Sequence, residues 1–175
     1  MRRMLIIVAG VVLALAVAAP APAATRAFGA SFQEYFGRAT AHPCVPATPT
    51  VFTCGVGTVT GYGPATSTFE VLSFDAFDLG SACGISTARR VITLSDGTGT
   101  LVLAETGSVC FPGKSFFTPG ASSGHSYGNP VALDLTWTVS GGTGVFAGAS
   151  GSGTDSFRNA GDSGRSDLTG TLTLP

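Results

Sequence analysis

Lysine and glutamine occur once each in 175 residues, glutamate three times, and methionine twice, both within the first four positions. These straight-chain residues are strong helix formers, so their scarcity excludes a helix bundle, a coiled coil and an alternating βαβ enzyme. Charged residues make up only 11% of the chain, and no basic stretch offers the electrostatic footprint of a nucleic-acid binder. Beyond residue 23 no apolar run is long enough to cross a bilayer as a helix. A phosphate loop, a dinucleotide fingerprint and a nucleophile elbow are all missing, so no cofactor is expected. The four cysteines, Cys44, Cys54, Cys83 and Cys110, lack the paired spacing of a zinc knuckle, and the two histidines stand far apart. No metal site is expected either.

The chain is instead rich in 25 glycines, 22 threonines and 17 serines. Its first 23 residues read as a secretory signal peptide: Arg2 and Arg3, an apolar run from Leu5 to Ala19, then the small residues Ala21-Pro22-Ala23. Residues 24–175 then form a single extracellular domain. Removing Arg2 and Arg3 leaves seven basic against ten acidic side chains, a net charge of −3. An even cysteine count in an exported chain points to two disulfides. Three connectivities are open, and Cys44–Cys54 with Cys83–Cys110 is favoured because each bridge closes a local loop.

Short β-rich runs separated by Gly, Pro, Asp and Ser predict strands near 27–38, 51–61, 66–74, 87–95, 100–109, 131–140, 145–158 and 166–174. Eight such runs with scarce helix predict an all-β fold, a small antiparallel β-barrel of about eight strands, with a β-sandwich as the alternative. The clearest alternation is Val131, Leu133, Leu135, Trp137 and Val139 against polar neighbours. A four-residue loop at 141–144 would set Trp137 opposite Gly148 and Val139 opposite Phe146. A second hairpin turns at Asp96-Gly97-Thr98-Gly99. Pairing Ser95 with Thr100 would set Leu94 opposite Leu101, Ile92 opposite Leu103 and Arg90 opposite Glu105, all on one face. Arg90 and Glu105 then form either an exposed salt bridge on the barrel's rim or a polar anchor at the mouth of an apolar cavity. Phe28, Phe32, Phe36, Phe52, Phe69, Phe74 and Phe146 are numerous enough to fill the interior.

The segment Gly141-Gly142-Thr143-Gly144-Val145-Phe146-Ala147-Gly148-Ala149-Ser150-Gly151 resembles a glycine-rich signature of dirigent proteins and, more loosely, of allene oxide cyclases. With the Asp-Gly-Thr-Gly-Thr hairpin and the final strand, it is also similar to small secreted β-barrel proteins of high-GC Gram-positive bacteria. The resemblance implies a barrel with an apolar interior that holds or orients a hydrophobic substrate. Glu105, Arg90, Tyr35 and Tyr62 are of the residue types such barrels use, but no motif fixes their correspondence.

Gly161-Asp162-Ser163-Gly164-Arg165 resembles the nucleophile loop of chymotrypsin-like proteases, and Thr40-Ala41-His42-Pro43-Cys44 their histidine motif. Arg165 replaces the second glycine, Pro43 separates His42 from Cys44, and only 12 residues follow Ser163. These words are read as turn chemistry rather than a triad. Asp96, Asp155, Asp162 and Asp167 are expected at or near turns. The residues 112–130 form the longest irregular stretch, and His125 and Tyr127 would be its contacts if it closed over a cavity. Candidate ligand-binding residues are therefore Arg90, Glu105, Trp137, His125 and Tyr127. Three functions are carried forward: a secreted binder of a small hydrophobic ligand, a dirigent-like or cyclase-like barrel enzyme, and a packed, non-catalytic cell-envelope interaction module.

Overall fold

A computed structural model describes residues 23–36, 43–44, 51–111, 131–160 and 163–175. Residues 1–22 of the expected signal peptide, and His42, His125, Tyr127 and Asp162, lie outside the described residues. Eight strands follow in chain order: β1 (Ala24–Phe36), β2 (Val51–Val59), β3 (Gly63–Asp78), β4 (Cys83–Leu94), β5 (Gly99–Cys110), β6 (Ala132–Gly144), β7 (Ser150–Ala160) and β8 (Ser163–Leu174). Each pairs antiparallel with the next, and β8 returns to β1, from Ala24 opposite Leu174 to Tyr35 opposite Ser163. The sheet is a closed barrel rather than a sandwich. Every one of the eight strands pairs with a neighbour on each side.

Alternation decides which side chains enter the barrel. In β1, Phe28, Ala30, Phe32, Glu34 and Phe36 are buried, while Ser31 and Gln33 between them stay in contact with solvent or nearly so. Two apolar clusters fill the interior. One gathers Phe28, Phe32, Ile92, Leu94, Leu101, Leu103, Trp137, Phe146, Leu168 and Leu172. The other gathers Phe36, Phe69, Val109, Phe111, Leu133, Leu135 and Phe157. Most of the phenylalanines expected inside are there, but Phe74 is 43% exposed.

Two registers differ from the sequence-based expectation. In the β4–β5 hairpin Thr93, not Ser95, lies opposite Thr100, so Ile92 faces Leu101, Arg90 faces Leu103 and Ala88 faces Glu105. The cause is that Ser95 is drawn to β3, where its N–H donates to the Pro64 carbonyl at 2.9 Å. The slip is by two residues and therefore keeps every side chain on its expected face. At the other hairpin, β6 does not turn at 141–144 but continues to Gly144, pairing with β5 as far as Gly99. The turn falls at 145–149, and Trp137 faces Gly153 instead of Gly148. A Cβ at Gly153 would come within 2.5 Å of the Trp137 ring, and one at Gly170 within 2.6 Å, so the indole occupies room that two glycines leave. The shifted turn carries Phe146 into the barrel's end, where it is fully buried against Tyr62 at a centroid distance of 4.8 Å. Gly144, in the left-handed region at φ 58°, makes that turn possible.

Both expected disulfides are formed, Cys44–Cys54 and Cys83–Cys110. Cys83 and Cys110 face each other directly across β4 and β5. That bridge marks the end of the barrel opposite Phe146.

Candidate functional site

Arg90 projects inward from the middle of β4 and is 1% exposed. Its guanidinium uses all five N–H donors. Nε donates to Glu105 Oε1 at 2.9 Å; Nη1 donates to Glu34 Oε1 at 2.6 Å and to Ser67 Oγ at 2.8 Å. Nη2 donates to Asp155 Oδ2 at 2.7 Å and to Ser166 Oγ at 3.0 Å. Thr53 and Ser67 donate in turn to Glu34, and Ser166 to Asp155. Seven of the eight strands thus contribute a polar side chain to one buried network. The remaining strand, β6, sets Trp137 opposite Glu105.

This corrects the placement of the Arg90–Glu105 pair. It is neither an exposed rim bridge nor an anchor at a mouth, since Glu105 is only 2% exposed and Arg90 less. Three carboxylates surround one guanidinium. Burial works against the Arg90 charge, but Glu105, Asp155 and Glu34 together outweigh it and hold the guanidinium protonated. Burial pushes the Glu105 carboxyl up to about 7; Arg90 opposes the shift, while Asp155 and Glu34 reinforce it. Glu105 Oε2 is buried without a hydrogen-bond partner, so nothing at that oxygen offsets the desolvation of the ionised form.

Glu34, Asp155, Thr53, Ser67 and Ser166 were not among the sequence candidates. Asp155 is not a turn residue: it sits within β7, opposite Leu135 and Leu168, and is 2% exposed. Asp167 likewise lies within β8, where hydrogen bonding to Arg165 holds its carboxyl below the usual range. Asp96 does sit in its turn, accepting from the Thr98 N–H and hydroxyl. Ser163 opens β8 opposite Ala160 and Tyr35. Among the described residues no group of three or more His, Cys, Asp or Glu side chains is arranged to hold a metal ion, and the three carboxylates that do converge are occupied by Arg90.

A cavity of about 200 Å³ opens toward the disulfide end. It is lined by Phe52, Val71, Phe74, Ser86, Val109, Phe111 and Leu133. The Ser86 hydroxyl is the single polar side-chain group of that lining, and it already donates to the Ser73 carbonyl at 3.2 Å. Phe69 separates the cavity from the charge network. Its ring lies 4.9 Å from Arg90 Cζ and meets Phe52 edge-on at 6.4 Å. Trp137 belongs to the other apolar cluster, stacked edge-on against Phe28 at 5.3 Å with Nε1 donating to the Thr154 carbonyl, and does not line the cavity. Compared with known proteins, the chain matches no family model, no curated protein and no solved structure.

Proposed function

We propose that this chain is a secreted β-barrel that binds a small hydrophobic ligand without transforming it. The observation that carries this reading is the apolar cavity at the disulfide end, bordered by Phe52, Val71, Phe74, Val109, Phe111 and Leu133. An apolar recess in a rigid, closed scaffold is what a preformed small-molecule site requires. Turnover would need an acid, base or nucleophile in reach of the ligand. The buried acids and Arg90 are behind Phe69, and the one hydroxyl of the lining is engaged. That arrangement favours binding over a dirigent-like or cyclase-like enzyme. The cavity also favours binding over a wholly packed interaction module.

The test is to recover the protein from secretion medium with its disulfides intact and compare its native mass with its denatured mass. A reproducible extra mass, lost on denaturation, is expected. A bare mass, together with no saturable uptake of any apolar probe, refutes the reading.

A further inference from the structure

Resting on the binding reading above, we infer that the cavity selects an uncharged, single-ring aromatic molecule of about six to eight heavy atoms, held chiefly by apolar contact. Size is the first argument. A dry apolar cavity of about 150 Å³ accepts benzene, so about 200 Å³ admits a ring with one or two further carbons. An extended acyl chain of a dozen carbons would not fit inside.

Charge is the second argument. Among the described residues no ionisable side chain lines the cavity, and the Arg90 guanidinium has all five donors committed on the far side of Phe69. A carboxylate or ammonium entering here would lose its hydration with nothing to replace it. A hydroxyl would find one partner at most, the Ser86 Oγ as acceptor, since that group's own proton goes to the Ser73 carbonyl.

Shape is the third argument. Phe52, Phe74 and Phe111 wall the cavity, and Phe74 and Phe111 already meet nearly edge-on at 6.3 Å and 81°. A guest ring extends that edge-to-face arrangement, an advantage an aliphatic guest of the same size lacks. The approach has an apolar side too, since Phe74 of the lining is 43% exposed.

The experiment titrates the disulfide-intact protein with toluene, benzoate, cyclohexane and dodecanoate, following the methyl resonances of Val109 and Leu133. Toluene should shift them saturably, with benzoate and cyclohexane at least tenfold weaker. Val109→Phe and, nearer the rim, Val71→Phe should each weaken toluene at least tenfold. Thermal melts identify which variants remain folded, and one folded variant suffices. If benzoate binds as tightly as toluene, the charge argument is overturned. If cyclohexane does, the aromatic preference is overturned. If dodecanoate binds and toluene does not, the ligand class is wrong while the binding reading stands. If none of the four probes moves these methyls, both readings fall.

Discussion

Glu105→Gln should remove most of a pH dependence of stability that this barrel carries between about pH 4.5 and 7. Burial raises the folded Glu105 carboxyl from an ordinary 4.5 to about 7. The folded state therefore holds a proton that the unfolded chain releases across that window. Unfolding is favoured as pH climbs through it, so the stabilising share of Glu105 is complete below 4.5 and lost by about 7. At 1.36 kcal/mol per pH unit, the loss is on the order of 3 kcal/mol. Glutamine keeps the acceptor for Arg90 Nε, keeps the shape and cannot ionise. Urea unfolding of parent and variant at pH 5, 6, 7 and 8 gives the measurement. The variant should be close to the parent at pH 5 and more stable by roughly 3 kcal/mol at pH 8. A difference that stays constant from pH 5 to 8 would refute the proton on Glu105.

Three further outcomes are expected. Arg90→Met leaves Glu34, Glu105 and Asp155 buried without their cation and should cost about 3–5 kcal/mol at pH 8, less at pH 5 as carboxylates take up protons; parent-like urea midpoints at both pH values would contradict the network. Replacing Cys83 and Cys110 together by Ser should cost about 2–5 kcal/mol, seen as a lowered Tm that reducing agent reproduces in the parent. Gly153→Ala forces a Cβ against the Thr169 carbonyl of β8 as well as the Trp137 ring and should cost at least about 1–3 kcal/mol by overpacking, with near-UV circular dichroism reporting a change around the indole.

The strand phases were legible in the residues, and so was the all-β class. In β1 the apolar phase Phe28, Ala30, Phe32, Phe36 contains Glu34, and this is the signal that an acid points inward. Asp155 stands in phase with Phe157, and Ser166 with Leu168, in the same way. What phase alone does not convey is convergence. Glu34 and Asp155 lie on strands that are not neighbours, and only closure of the barrel brings both to Arg90. Register was legible modulo two in the β4–β5 hairpin, where turn composition does not reveal that Ser95 pairs with β3; across the β6–β7 turn the expected pairing was off by five, an odd number that reverses the faces of β7, because β6 runs on to Gly144. The cavity was not legible at all, since its seven lining residues come from five different strands and the segment after β5.

The ladder between β1 and β8 has a consequence in time. Strand β1 is the first of the eight to be synthesised and β8 the last, yet the two pair along twelve consecutive residues. Until β8 arrives, the seven earlier strands form at most an open trough, with one flank of β1 unpaired and the apolar lining facing water. Ser166 and the wall formed by Leu168 and Leu172 come only with the final strand. Such sequence-distant closure makes folding slow, and it makes native structure a property of the whole strand set. A nascent or truncated chain lacking β8 is expected to be an aggregation-prone sheet rather than a smaller barrel.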